Sequence, residues 1–201
     1  MNVRPTPLPG VMVVEPKVFG DARGFFFESF NRRALEAALG RGLDFVQDNQ
    51  SRSARGVLRG LHYQLPRPQA KLVRVVRGEI FDVAVDLRRG SPTCGRWAGE
   101  RLSAETHRQL WIPEGFAHGF LVLSDEADVL YKTTDYWAPE HERCIRWDDP
   151  ALAVAWPGAG VAPVVSQKDA AGLVLAQAPL FDAADLVPAQ APLFDATGAA
   201  P

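Results

Sequence analysis

The stretch LVRVVRGEIFDVAVDL, residues 72–87, decides the fold class. In its second half Phe81, Val83, Val85 and Leu87 alternate with Asp82, Ala84 and Asp86. A period of two is that of a half-buried strand, and Gly78-Glu79 breaks the run into two strands. The same pattern continues downstream. Residues 109–112 form a short strand closed by Pro113-Glu114-Gly115. Residues 117–123 and 128–134 follow, separated by the turn signal Ser124-Asp125-Glu126. Short strands divided by turns predict an all-β, antiparallel sandwich or barrel. Upstream, one short helix is predicted: Asn31 caps it, Ala34, Leu35, Ala38 and Leu39 give it an apolar face, and Gly40 ends it.

The 201 residues suit one ordinary domain. A net charge of −2 gives no bulk reason to bind nucleic acid or an anionic membrane, so any anion must be held by a few placed cations. The first residues lack the apolar stretch of a signal peptide, and no apolar run reaches the roughly 18 residues of a membrane helix. Cys94 and Cys144 stand in no metal-like spacing. A cytoplasmic protein with reduced thiols is expected. After about Trp156 the chain becomes rich in alanine and proline, and AQAPLFDA at 176–183 recurs at 189–196. A domain over 1–175 and a tail over 176–201 are expected, since two copies are too few for a solenoid, which needs about three.

Four stretches place polar groups where strand patterning favours apolar ones. Arg59-Gly60-Leu61-His62-Tyr63-Gln64 brings His62 close before Lys71. A histidine is a natural general base near neutral pH, although in a strand it is more often structural. Pro113 to Phe120 delivers His118 into an apolar strand, where a core histidine satisfied by backbone is the plainer reading. Tyr131 lies in YKTTDYW, residue types that favour strands anyway. Ser166-Gln167-Lys168-Asp169 reads on spacing as a helix start capped by Ser166. Near the N-terminus, Phe25, Phe26 and Phe27 cannot all face one core, so one side of that strand must meet a partner chain or a planar ligand ring.

Pro113-Glu114-Gly115-Phe116-Ala117-His118 in a β-rich chain resembles the cupin superfamily. Metal-binding cupins offer a His-x-His pair, and His62-Tyr63-Gln64 lacks the second histidine. His62 and His118 alone fall short of the three or four ligands of a transition-metal site, so no metal is expected. Six motifs in order sharpen the resemblance: RGFFFESF from Arg23, QDNQS from Gln47, RGLHYQ from Arg59, KLVR from Lys71, IPEGFAHGF from Ile112 and SQKD from Ser166. Together, over residues 3–175, they resemble the dTDP-4-dehydrorhamnose 3,5-epimerase family.

The resemblance implies a cupin-like jelly roll that needs no cofactor. It implies epimerisation of a dTDP-linked 4-keto-6-deoxyhexose on the route to dTDP-L-rhamnose, a precursor of surface polysaccharide such as lipopolysaccharide. By it, His62 is the base, Asp169 fixes its tautomer, Lys71 stabilises the enolate and Tyr131 is the acid. Lys71 would also help Tyr131 ionise. The diphosphate would fall to Arg23, Arg59 and Lys168, with Gln47 and Asn49 adding hydrogen bonds. The thymine would rest on Phe19 and Tyr136, while Glu28, Glu142 and His118 contact substrate. The family dimerises by exchanging N-terminal strands, which would bring Phe19, Arg23 or Glu28 to the partner's site. Two alternatives stay open: a mono-epimerase acting at C3 or C5 alone, and a non-catalytic sugar-nucleotide binding module.

Overall fold

A computed structural model describes residues 1–158 and 162–186. In chain order the elements are β1 (Asn2–Pro5), β2 (Met12–Glu15), β3 (Phe19–Asp21), β4 (Gly24–Phe26), α1 (Arg32–Leu39), β5 (Gln47–Ala54), β6 (Leu58–Gln64) and β7 (Lys71–Arg77). There follow β8 (Glu79–Asp86), β9 (Trp97–Ser103), β10 (Gln109–Ile112), β11 (Phe116–Val122), β12 (Glu126–Thr133), β13 (Glu142–Cys144) and α2 (Gln167–Ala170). A six-stranded sheet runs β1-β2-β10-β7-β12-β5, and a five-stranded sheet runs β13-β6-β11-β8-β9. All pairings between these strands are antiparallel.

The two sheets meet face to face. Val13, Val73, Val75, Leu110 and Val129 of the larger sheet pack on Ile80, Leu102, Phe116, Phe120 and Val122 of the smaller. Each such side chain, fully buried, contributes about 1.5–3 kcal/mol. The alternation in residues 80–87 holds, but β8 is not half-buried. Ile80 and Ala84 face the sandwich interior, while Val83, Val85 and Leu87 belong to a second core. That core is closed by the C-terminal segment, through Ile145, Leu152, Ala178 and Phe181. The smaller sheet is therefore covered on both faces, and β11 is buried along its whole length. The first AQAPLFDA copy thus lies against the sandwich: Phe181 is 1 % exposed and its ring meets Tyr63 edge-on. The second copy lies outside the described residues.

The helix forms where its signals stand. The Asn31 side chain accepts from the Ala34 N–H, and Gly40 closes the helix in the left-handed conformation. Leu35 packs with Leu72 and Trp111, so α1 covers part of the larger sheet's outer face. Glycine is required where β6 crosses β11. A Cβ on Gly60 would lie 2.6 Å from Gly119 Cα, and one on Gly119 would lie 2.6 Å from the Arg59 carbonyl. This close approach carries a register shift in β11 and sets His118 directly opposite His62. The phenylalanine-rich segment stands apart. Among the described residues β3 and β4 pair only with each other, and Phe19, Phe25 and Phe26 are exposed.

Candidate active site

A cleft of about 160 Å³ opens at one end of the sandwich interior. Sheet alternation supplies its walls. From β6 and β13 come His62, Gln64 and Glu142; from β5, β7 and β12 come Gln47, Asn49, Lys71 and Tyr131. Tyr131 and Asn49 are direct neighbours across the β12–β5 ladder, as Lys71 and Thr133 are across β12–β7.

His62 is held from behind. Its Nε2 lies 2.6 Å from Asp169 Oδ1, which leaves Nδ1 as the ring nitrogen free to exchange a proton. Ser166 caps α2, accepting from the Asp169 N–H at 3.1 Å. The SQKD stretch is thus both a helix start and the source of the histidine's partner. Burial pushes the Asp169 carboxyl up, but the hydrogen bond and charge of His62, with bonds from Gly60 and Ser166, outweigh it and hold the group ionised below its ordinary value.

Lys71 is buried, and burial pushes its ammonium down to about 8 against the opposing pull of Asp82 and Glu142. At neutral pH it remains mostly a cation, inside a low-dielectric wall. Tyr131 departs from expectation. Burial and the Glu142 carboxylate push its phenol above 10, and the cation that opposes them is Arg59, not Lys71. The phenol therefore stays protonated at neutral pH and is equipped to give a proton rather than to hold a charge.

The other expected residues divide into those the cleft gathers and those it does not. Gln47 donates to Asn49 at 2.8 Å. Glu142 accepts from Lys168 at 2.6 Å, so that lysine reaches the rim already paired. Arg59 is anchored by Ser53 at 2.9 Å. His118 is buried behind the cleft with Nε2 2.7 Å from Asp82 Oδ1, and burial holds its imidazole below its ordinary value. Tyr136 is exposed and does not line the cleft. Its neighbour Trp137 does, with its indole N–H on Glu142 at 3.2 Å and its backbone N–H on Gln47 at 3.0 Å. Gln64 fixes this segment by accepting from the Ala138 N–H and donating to the Tyr136 carbonyl. Phe19, Arg23 and Glu28 lie on or just after the exposed hairpin; Arg23 is 90 % exposed and, among the described residues, its charge meets only Asp21.

The chemistry around the cleft is a histidine on the smaller sheet held by a carboxylate from α2, with a protonated phenol and a buried ammonium on adjacent strands of the larger sheet. A family model described as dTDP-4-dehydrorhamnose 3,5-epimerase matches residues 5–177. The chain belongs to this family. It is 66% identical over 174 residues to the dTDP-4-dehydrorhamnose 3,5-epimerase of Pseudomonas aeruginosa, covering 87% of this chain and 96% of that one. With the epimerase of Shigella flexneri it shares 57% over 182 residues, covering 90% and 99%. The dTDP-6-deoxy-D-glucose-3,5-epimerase of Legionella pneumophila, solved in complex with dTDP-4-keto-L-rhamnose, superposes with a TM-score of 0.85. It is 53% identical and covers 94% of this chain and 99% of its own. The epimerase family's cupin-like β-sandwich is thus the fold of this chain. Among the described residues no helix is long and apolar enough to cross a membrane.

Proposed function

We propose that this protein epimerises dTDP-4-dehydro-6-deoxy-D-glucose at C3 and C5, giving dTDP-4-dehydro-L-rhamnose. In a 4-keto sugar both carbons flank the carbonyl, so their protons are acidic enough for a side chain to remove. His62 takes the proton as general base while Asp169 stabilises the imidazolium. Negative charge moves to the C4 oxygen, where the buried Lys71 ammonium stabilises the enolate. Tyr131 returns a proton to the opposite face, and the centre inverts. No electrons are exchanged with a cofactor. The observation that carries this reading is His62 of the smaller sheet, held by Asp169 of α2, facing Tyr131 and Lys71 of the larger sheet across the cleft.

The cleft accommodates a sugar, and the nucleotide extends past it toward Trp137, whose flat indole suits thymine better than the outlying Tyr136. Arg59 and Lys168 are the nearer cations for the diphosphate. Phe19, Arg23 and Glu28 act from a second copy. The exposed β3–β4 hairpin, with its phenylalanines unburied, supports a homodimer in which each hairpin completes the other's site. A cytoplasmic location accords with two unbridged cysteines, and rhamnose for surface polysaccharide is the expected use of the product.

The test is an NMR assay with dTDP-4-keto-6-deoxyglucose in D₂O, with and without a reductase that traps product. Deuterium at both C3 and C5, abolished by His62→Ala, with trapped dTDP-L-rhamnose, is the expected result. Exchange at one carbon alone identifies a mono-epimerase, and no exchange despite binding leaves a binding module.

A further inference from the structure

Beside the His62–Asp169 pair lies a thiol that epimerisation does not use. β13 runs antiparallel to β6 with Cys144 opposite His62, so both side chains leave the sheet on the same face. One donor atom from each of His62, Cys144 and Asp169 lies within 4.8 Å of the other two. Imidazole nitrogen, sulfur and carboxylate oxygen are the donors that zinc and its heavier congener cadmium take. A tetrahedral ion with bonds of about 2.0–2.3 Å spaces its ligand atoms by roughly 3.3–3.7 Å. Side-chain shifts on the order of 1 Å therefore close the three around an ion.

The surroundings favour a dication. A thiolate and a carboxylate cancel its charge, so the site tolerates burial once filled. The one cation on α2, Lys168, is neutralised by Glu142 at 2.6 Å. His62 lines the cleft, which gives the ion its route in.

We propose that His62, Cys144 and Asp169 form a binding site for a soft divalent cation, Zn²⁺ or Cd²⁺, whose occupation removes His62 from proton transfer. On binding, the Cys144 S–H bond breaks and its proton leaves to solvent while the sulfur pair binds the ion. The Nε2 proton that His62 donates to Asp169 leaves to solvent, Nδ1 takes up a proton in its place, and the His62–Asp169 hydrogen bond is exchanged for two bonds to the metal. The inhibitory half of the inference rests on His62 being the base; the binding half does not.

The probe is Cd²⁺, titrated into the purified full chain in a chelator-buffered solution. Two signals are followed: the ultraviolet thiolate-to-cadmium charge-transfer band, and the epimerisation rate relative to each variant's own metal-free rate. Wild type and Cys94→Ser are expected to bind one equivalent, the band rising as the rate falls, with excess chelator reversing both. Cys144→Ser and Cys144→Ala are expected to lose the band and to need at least about tenfold more metal for the same inhibition. A band that survives loss of Cys144, or that disappears with Cys94, overturns the site. So does equal inhibition of wild type and both Cys144 variants. A band that depends on Cys144 but leaves the rate untouched keeps the metal site and instead removes His62 from its role as base.

Discussion

Replacing Lys71 with methionine separates what the lysine does for the reaction from what it does to the fold. Burial pushes its ammonium from 10.5 down to about 8, even though Asp82 and Glu142 pull the other way. The unfolded chain therefore holds this proton more tightly than the folded one. A difference of roughly 2.5 units at about 1.4 kcal/mol each gives a folding penalty of about 3–4 kcal/mol. The sign follows from the protonation states. Below pH 8 both states carry the proton and the penalty is complete. Between pH 8 and 10.5 only the unfolded chain carries it, so stability rises with pH and the penalty disappears. Lys71→Met should thus stabilise the protein by up to about 3–4 kcal/mol at pH 7, with the gain shrinking as pH approaches 10.5. Urea unfolding of both proteins across pH 6–10.5 measures this. The same substitution should abolish turnover. In wild type, kcat should fall by about tenfold between pH 7 and pH 9 as the ammonium is lost, and Lys71→Arg should flatten that limb. A methionine variant no more stable than wild type at pH 7, or one that still turns over, would refute the reasoning.

Tyr131→Phe should leave deuterium exchange in place, because base and enolate stabiliser remain, while stopping inversion; NMR of the recovered sugar reads both, and normal stereochemistry would end the acid assignment. Asp169→Asn should lower kcat by about 100-fold or more with little change in KM, since it disturbs the tautomer and the imidazolium rather than sugar contacts, and a loss of only a few-fold would speak against the dyad. For Asp86 the test is acid stability. Burial pushes its carboxyl up, but hydrogen bonds from Arg88, Ser91 and Thr93 bring it to about 2. This folded value lies below the unfolded 3.8, so the stabilisation is present above pH 4 and is lost as pH falls through 2. Between pH 5 and pH 2 wild type should lose about 2 kcal/mol more than Asp86→Asn in chemical denaturation, and equal losses would remove Asp86 from the ledger.

Most of the framework was legible because it rests on local pattern. β7, β8, β10, β11 and β12 follow alternation and turn chemistry and α1 follows its caps, while β9 at Trp97–Ser103 was not read from the sequence. His62, Lys71, Tyr131 and Asp169 were legible through motif resemblance, and the cleft gathers the first three around the fourth's hydrogen bond. What was not legible depends on how distant segments meet. Periodicity predicted a strand with one face buried at β8, but nothing in residues 80–87 foretold that residues 145–181 would cover the other face. The charge felt by Tyr131 depends on which strands adjoin it, and β5 and β6 bring Arg59 near, while Lys71 acts elsewhere. Tyr136 and Trp137 are adjacent aromatics, and only the Gln64 clasp decides which of them turns to the cleft.

The seat of Phe181 has a genetic consequence. Leu175, Ala178 and Phe181 close the smaller sheet, and the same eight-letter word follows again at 189–196. Recombination between the two copies that removes residues 176–188 joins Leu175 directly to an identical word. Ala191, Phe194 and Asp195 then stand at the sequence positions of Ala178, Phe181 and Asp182. Such a deletion is expected to keep a phenylalanine to close the smaller sheet, while the place of Leu186, which also packs there, falls to Ala199.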